Sequence, residues 1–259
     1  MKVALVQWDL AWEDGAANIQ KLKELLKDME PVDLVVLPEL WPCGFTMSPE
    51  AHTHGSDAGQ FMEEYARNQG CMVMGGIPVR YGEHQLNRAI CCGPDGLVGA
   101  PYTKIKAFKM AGEHKAYQPG KETRVWSLGF TSISPFICYD LRFPELARRC
   151  ALYSQILVYM ANWPETRVSH WHNLLVARAI ENQSYVIGVN RTGTDGNGLV
   201  YPGHSMVVDP LGEVVLQCGR DEQIGIVELD LDAVSAVRKR LPFLADFEPR
   251  SVSTEQDWG

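Results

Sequence analysis

The thiol of Cys138 is the side chain in this sequence whose setting best suits nucleophilic chemistry. It ends the apolar, strand-like run 134–137, and a charged turn and then a helical pattern follow it. A thiol at such a corner can be exposed at the edge of a sheet, beside a helix N-terminus whose dipole favours the thiolate. Because a free thiol has a pKa of about 8.5, a nucleophilic cysteine also needs a base or a cation nearby.

Histidine is the usual base for a cysteine nucleophile, yet none of the seven histidines lies in a recognisable cysteine-histidine protease pattern. His170 and His172 are two residues apart and could ligate a metal from a strand, but no matching third ligand lies near them. We therefore expect no metal site, and we look for the base among the carboxylates.

Glu39 is the best-placed carboxylate. It follows the apolar run 34–37 and Pro38, which cannot donate a hydrogen bond to a sheet and so marks the end of the strand. Chemistry in α/β proteins is commonly carried at the ends of strands. Glu39 is thus a candidate to take a proton from a thiol, and the alternative is an exposed glutamate that caps a loop.

Lys104 and Lys106 supply candidate cations. They lie two residues apart in the segment 102–108 and would share a face if that segment were extended. A lysine beside a cysteine and a glutamate would stabilise a thiolate or an oxyanion. The alternative is a solvated basic edge strand, on which lysine is common.

The rest of the sequence indicates an α/β fold that could position these residues. Four runs are apolar on both faces, as expected of strands that are covered on both sides: 3–6, 34–37, 156–160 and 185–189. Helical patterns lie at 19–29, at 171–179, at 232–240 and after Asp57, which is expected to cap its helix. Turn signals at 195–198 and 209–212 flank hairpin-like runs. We predict one layered domain over 1–259 with mixed sheets, whose polar tail 242–259 is either frayed or packed on a partner subunit.

Composition excludes several functional classes. The formal charge of -8 argues against nucleic acid as a partner, because phosphate binding requires a basic surface. No apolar run approaches membrane-spanning length, and the N-terminus lacks the features of a signal peptide. The seven cysteines have irregular spacing and no Cys-x-x-Cys pair, which indicates reduced thiols and a cytoplasmic location.

Taken together, three segments of the chain resemble the signature blocks of the nitrilase superfamily of carbon-nitrogen hydrolases, in the same order. They are Leu37-Pro38-Glu39, Tyr102-x-Lys104 and the run 137–145, Ile-Cys-Tyr-Asp-Leu-Arg-Phe-Pro-Glu. The segments 3–7 and 203–205 also fit, so the resemblance covers the whole length. It implies a four-layer α-β-β-α sandwich with two mixed β-sheets, and a homodimer or higher homo-oligomer. The chain departs from many relatives at Lys106, where they carry histidine.

The resemblance also implies roles for the candidate residues. Cys138 would attack an amide or nitrile carbon, Glu39 would act as general base, and Lys104 with the backbone N–H of Tyr139 would hold the oxyanion. Glu113 matches the position of a second glutamate that assists in the family. No metal or cofactor is required.

Within the family, three segments are most similar to the omega-amidase branch: 138–145, 162–164 and 177–183. Omega-amidases hydrolyse the terminal amide of 2-oxoglutaramate or 2-oxosuccinamate through a thioester on the cysteine. Arg142, Tyr117 and Trp163 are then expected to bind the substrate, although Arg142 could instead pair with Asp140 or Glu145. The alternatives are another amidase or an N-carbamoyl amidohydrolase, less readily a nitrilase, and, in a different class, a non-catalytic binding or scaffold protein.

Overall fold

The computed structural model describes residues 1–247, which form two β-sheets with helices packed on their outer faces. In chain order the strands are β1 (Lys2–Gln7), β2 (Leu34–Val36), β3 (Met72–Tyr81), β4 (His84–Gly93), β5 (Gly96–Leu97), β6 (Tyr102–Thr103), β7 (Trp126–Ser127), β8 (Ser132–Ile137), β9 (Ile156–Ala161), β10 (Tyr185–Asn190), β11 (Thr192–Thr194), β12 (Val200–Pro202), β13 (Met206–Val208), β14 (Val214–Gln217) and β15 (Gln223–Glu228).

Both large sheets are mixed, as predicted. The first has the order β15-β1-β2-β3-β4-β5, with β6 paired to β4, and the second has the order β14-β13-β10-β9-β8-β7. The neighbours β1, β2 and β3 are parallel to one another, and so are β8, β9 and β10. The strands outside these parallel groups pair in antiparallel fashion. The predicted turns at 195–198 and 209–212 connect β11 to β12 and β13 to β14.

The helices are α1 (Gly15–Leu26), α2 (Gly55–Gln69), α3 (Glu113–Ala116), α4 (Pro144–Ala151), α5 (Val168–Asn182) and α6 (Asp232–Arg240). Helices α1 and α2 cover the outer face of the first sheet and α4 and α5 that of the second, whereas the short α3 packs in a small separate cluster. Asp57 lies within the first turn of α2 and not at its N-cap, because a 3-10 turn (Ala51–His54) leads directly into the helix. Among residues 1–247, no helix combines the length and the apolarity that a bilayer crossing requires.

The layers follow from the two-residue period of the strands. On β1 and β2, Val3 and Leu34 belong to a core that continues into the second sheet and the helices α4 and α5. Their neighbours in alternate positions, such as Val6 and Val35, face a separate core with α1 and α2. The result is the predicted four-layer α-β-β-α sandwich.

The predicted tail lies partly outside the described residues. Its first part contains a 3-10 turn (Phe243–Asp246) in which Leu244 is buried, and Phe247 lies under the guanidinium of Arg148 at 5.6 Å. This part packs on its own chain. The residues 248–259 are not described, so the expectation of a frayed or partner-bound tail stays a prediction for them.

Candidate active site

The candidate site lies where the parallel strands of the second sheet end. Cys138 directly follows β8, Asn162 directly follows β9, and Asn190 ends β10. Since parallel strands end at the same edge of a sheet, these residues are neighbours. Glu39 reaches the same place from the end of β2 in the first sheet, and the backbone N–H of Asn162 donates to Glu39 Oε2 at 3.0 Å.

Cys138 occupies a strained backbone position. Its φ is +42°, in the left-handed region, and it begins a 3-10 turn (Cys138–Arg142). Such strain at a non-glycine residue is typical of functional sites. The thiol is partly exposed, lines the cavity, and lies 3.8 Å from the carbonyl oxygen of Asn162. Burial and the charge of Glu39 raise the pKa of the Cys138 thiol well above its ordinary value, and Lys104 opposes them.

Lys104 is held between two buried carboxylates. Its Nζ donates to Glu39 Oε1 at 2.7 Å and to Glu113 Oε1 at 2.9 Å, and all three residues are at most 3 % exposed. Burial disfavours the ammonium, but Glu113 and Glu39 outweigh it and raise the pKa of Lys104. The site therefore contains a permanent cation beside Cys138. Lys104 and both glutamates act electrostatically on the thiol of Cys138.

Lys106, the other lysine considered, faces away from this cluster. Strand β6 ends at Thr103, so the segment is not extended and the two lysines do not share a face. The Nζ of Lys106 lies 3.5 Å from Glu145 Oε1 and 4.4 Å from the ring centroid of Phe143. The alternative of a solvated basic edge strand is thus wrong for Lys104, which is buried. Lys106 is partly exposed, but it lies beyond the end of the strand.

Sequence reasoning missed two asparagines that fix the carboxylates. Asn87, on β4, donates from Nδ2 to Glu39 Oε1 at 2.8 Å and to Glu113 Oε1 at 3.1 Å. Asn162 Nδ2 donates to the carbonyl oxygen of Glu39 at 2.7 Å. Both asparagines are buried, and a polar residue inside or directly after a buried strand is the signal that could have identified them.

Asp140 joins the nucleophile strand to the lysine loop. Its carboxylate accepts hydrogen bonds from Tyr102 Oη at 2.7 Å and from the backbone N–H groups of Ile137 at 3.0 Å and Lys106 at 2.9 Å. Burial raises the pKa of Asp140 to about 6, although these hydrogen bonds oppose the shift. Asp140 is committed to this role and does not pair with Arg142, contrary to one alternative from the sequence.

A cavity of about 560 Å³ opens on the thiol. Lys104, Cys138, Tyr139 and Trp163 line it, and so do Arg142 and Arg167. Tyr139 is the second residue of the 3-10 turn, a position whose N–H has no partner within a helix. That N–H is therefore available to an oxyanion, which is the role that the family resemblance implies for it.

Arg142 lies in the cavity wall, stacked on Trp163. Its guanidinium carbon is 4.8 Å from the ring centroid of Trp163, and its Nη2 lies 3.2 Å from Nδ1 of His170. Glu145, the other carboxylate considered as its partner, pairs with Lys106. Neither predicted ion pair of Arg142 forms, and the guanidinium faces the cavity.

Tyr117, which the sequence suggested as a substrate contact, lies outside the cavity lining. Its hydroxyl donates to the carbonyl oxygen of Thr46 at 3.0 Å and lies 2.6 Å from Nε2 of His52. Only 3 % of the side chain is exposed, because it folds back from the end of α3 into a small core. Tyr117 thus supports the loop that carries Thr46, which does line the cavity.

Residues 1–247 contain no group of three or more side chains arranged to hold a metal ion.

Known proteins resemble this chain over most of its length. The carbon-nitrogen hydrolase family model matches residues 2–239. The chain is 37 % identical to an omega-amidase of Yersinia enterocolitica, over 95 % of this chain and 96 % of the relative. It is 32 % identical to a 2-oxoglutaramate amidase of Bacillus subtilis, over 94 % and 96 %.

A solved structure shares the fold. It is a CN-hydrolase superfamily protein from Xanthomonas campestris with an arsenic adduct in its active site, and its TM-score is 0.90 at 32 % identity. The match covers 98 % of this chain and 99 % of that one. The chain therefore belongs to the carbon-nitrogen hydrolase family, on the omega-amidase branch of the nitrilase superfamily, and is a hydrolase that acts on amides.

Proposed function

We propose that the protein hydrolyses the terminal amide of a small 2-oxo acid, 2-oxoglutaramate or 2-oxosuccinamate, to the acid and ammonia through a thioester on Cys138. One observation carries the proposal: a lysine locked between two buried carboxylates lies beside the thiol, in a cavity that also presents the guanidinium of Arg142. The similarity to a 2-oxoglutaramate amidase supports this choice of substrate.

The acylation step begins with a neutral thiol. Because burial and Glu39 raise the pKa of Cys138, the thiol keeps its proton until a substrate is bound. As sulfur attacks the amide carbon, the proton passes to Glu39 and the carbonyl oxygen becomes an anion. Lys104 Nζ and the N–H of Tyr139 stabilise this oxyanion. Glu39 then protonates the nitrogen, the carbon–nitrogen bond breaks, and ammonia leaves behind a thioester.

The deacylation step uses the same groups in reverse. Glu39 removes a proton from water, and the resulting hydroxide attacks the thioester carbon. The second oxyanion collapses, the carbon–sulfur bond breaks, and the proton on Glu39 returns to the sulfur. Glu113 keeps Lys104 in place throughout, since it also accepts the backbone N–H of Phe108 at 2.6 Å and so ties the lysine to the loop that follows it.

The test is ammonia release by the wild type and by Cys138→Ala on a panel of substrates. The panel contains 2-oxoglutaramate, glutamine, an N-carbamoyl amino acid, a simple aliphatic amide and a nitrile. We expect turnover of 2-oxoglutaramate, complete loss in Cys138→Ala, and a covalent adduct one acyl group heavier than the protein by mass spectrometry of the quenched wild type. Cys218→Ala is the matched control, since Cys218 is a buried thiol outside the cavity lining.

Three results would contradict the proposal in different ways. Undiminished turnover by Cys138→Ala would refute the nucleophile. Activity confined to the aliphatic amide or the nitrile, or to the N-carbamoyl amino acid, would refute the 2-oxo acid substrate. Turnover of no member of the panel would favour the non-catalytic binding protein.

A further inference from the structure

We infer that Arg167 and Arg142 together form a clamp for a carboxylate, so that the cavity requires an anionic group at the end of the substrate opposite to the amide. This inference rests on the proposed function for the position of the amide and deepens it by naming the residues that select the substrate class. Arg167 was not among the residues that the sequence suggested.

Trp163 contacts both arginines, one through its guanidinium and the other through its backbone. Arg142 stacks on the face of its ring at 4.8 Å, and the indole Nε1 donates to the backbone oxygen of Arg167 at 2.7 Å. Trp163 is itself buried and packs against Trp171, with ring centroids 5.5 Å apart. One buried aromatic side chain in the wall of the cavity therefore holds the guanidinium of Arg142 and the backbone of Arg167.

Arg167 stacks on a second aromatic ring beside the reaction centre. Its guanidinium carbon lies 5.6 Å from the ring centroid of Phe108, and that ring is 5.0 Å from the ring of Tyr139. Phe108, Tyr139 and Arg167 all line the cavity. A guanidinium on an aromatic face keeps the N–H groups at its edge free for a planar, bidentate acceptor such as a carboxylate.

Other arginines of the chain use their N–H groups within the protein. Arg178 donates to Glu181 and to the backbone oxygen of Leu141. Arg238 donates to several backbone oxygens, among them that of Gln183. Within residues 1–247, by contrast, the guanidinium groups of Arg142 and Arg167 have no oxygen acceptor and no carboxylate within ion-pair distance. The one side-chain contact of this kind that Arg142 makes is between Nη2 and Nδ1 of His170, at 3.2 Å.

The acidic residues of the cavity wall do not pair with Arg142 or Arg167 either. Asp195 accepts the hydroxyl of Tyr201 at 2.8 Å and two backbone N–H groups of its own hairpin. Glu13 accepts the hydroxyl of Thr46. Lys104 is already neutralised by its two glutamates. Among the described residues, the two guanidinium groups are thus cations of the cavity that have no carboxylate partner, and a carboxylate is the group that complements them.

The inference is tested with Arg167→Gln and Arg142→Gln against Arg220→Gln. Arg220 is an exposed arginine that pairs with Glu165 outside the cavity lining, so it controls for the loss of a positive charge. The first readout is selectivity, the kcat/KM for 2-oxoglutaramate divided by that for pentanamide, which lacks a carboxylate. We expect each cavity variant to lower this ratio about 10- to 100-fold, as befits a lost charged hydrogen bond. Arg167→Lys should recover only part of the loss, because an ammonium cannot bind bidentately.

The second readout does not depend on turnover. Calorimetry measures the binding of 2-oxoglutarate to Cys138→Ala, alone and combined with Arg167→Gln, Arg142→Gln or Arg220→Gln. We expect about 10- to 100-fold weaker binding with either cavity substitution and an unaltered Kd with Arg220→Gln. If the wild type does not hydrolyse 2-oxoglutaramate, the proposed function fails, and this binding measurement still decides on the clamp. An Arg167→Gln protein with unaltered selectivity and unaltered 2-oxoglutarate binding would overturn the inference.

Discussion

Replacing Gly76 by alanine should impair catalysis without unfolding the protein. Gly76 lies on β3, and a Cβ built on it would lie 2.8 Å from the Cα of Glu39 and 3.0 Å from the backbone nitrogen of Leu40. The two segments cannot simply separate, because the N–H of Gly76 donates to Pro38 and its oxygen accepts from Trp41, both at 3.1 Å. The new methyl group must therefore push the backbone that carries the catalytic glutamate.

The size of the effect follows from the distances. Ordinary contact begins at 3.4 Å, so a contact of 2.8 Å requires a displacement of about 0.6 Å. A misplacement of about 1 Å in an active site can cost about 100-fold in rate. On this scale Gly76→Ala should lower kcat about 10-fold, and the free energy of unfolding should fall by about 1–3 kcal/mol, as for other overpacked positions.

The assay is steady-state ammonia release together with urea unfolding. Gly59→Ala is the matched control, because Gly59 lies in α2 and the nearest atoms to its built Cβ are 3.8 Å away. It should keep the wild-type kcat and gain about 0.5–1 kcal/mol of stability, as expected for glycine to alanine in a helix. A Gly76→Ala protein with wild-type kcat would refute the reasoning. So would a loss of activity that only matches its unfolded fraction.

Three further predictions concern the support of the site and the assembly. Asn87→Leu removes the donor shared by Glu39 and Glu113 and should lower kcat at least about 10-fold. The control Asn173→Leu, on the exposed surface of α5, should leave kcat unchanged. Equal kcat values for the two variants would contradict this prediction. Because burial raises the pKa of Asp140 to about 6, the folded protein binds a proton that the unfolded chain releases near pH 4. The stability of the wild type relative to Asp140→Asn should therefore fall by up to about 3 kcal/mol as the pH rises from about 4 to about 6, and a constant difference in urea unfolding would disprove it. The homodimer remains a prediction, which sedimentation velocity can test. We expect a species of about twice 28.9 kDa, and a single species at the monomer mass would contradict the prediction.

Much of the fold was predictable, because burial on both faces of a sheet removes the polar alternation of its strands. The runs 3–6, 34–37, 156–160 and 185–189 all form strands, and the helix predicted at 232–240 has the bounds of α6. The prediction that Asp57 caps α2 was wrong. The chain enters that helix from a 3-10 turn, which no single residue marks in the sequence.

The candidate site was predictable where an apolar run ends abruptly at a reactive side chain. Glu39 and Cys138 were found in this way. The spacing left Lys104 and Lys106 as alternatives, and the resemblance of Tyr102-x-Lys104 to a family block selected Lys104. In the structure the three residues lie together, while their catalytic roles remain predictions. Asn87 and Arg167 were not found. The partners of Asn87 come from two other segments of the chain. Arg167 differs from a surface arginine by its contact with the ring of Phe108, which lies in a loop that is distant in the sequence.

The burial of the cluster also limits which electrical states the site can adopt. Two carboxylates, one ammonium and a neutral thiol have a total charge of -1. Passing the thiol proton to Glu39 leaves that total at -1, because the negative charge merely moves from oxygen to sulfur. A site enclosed in protein tolerates the relocation of a charge far better than the appearance of a new one, which costs several kcal/mol. Exchange of a proton with bulk water during the attack is therefore unnecessary, and the first chemical step should proceed at a rate independent of buffer concentration.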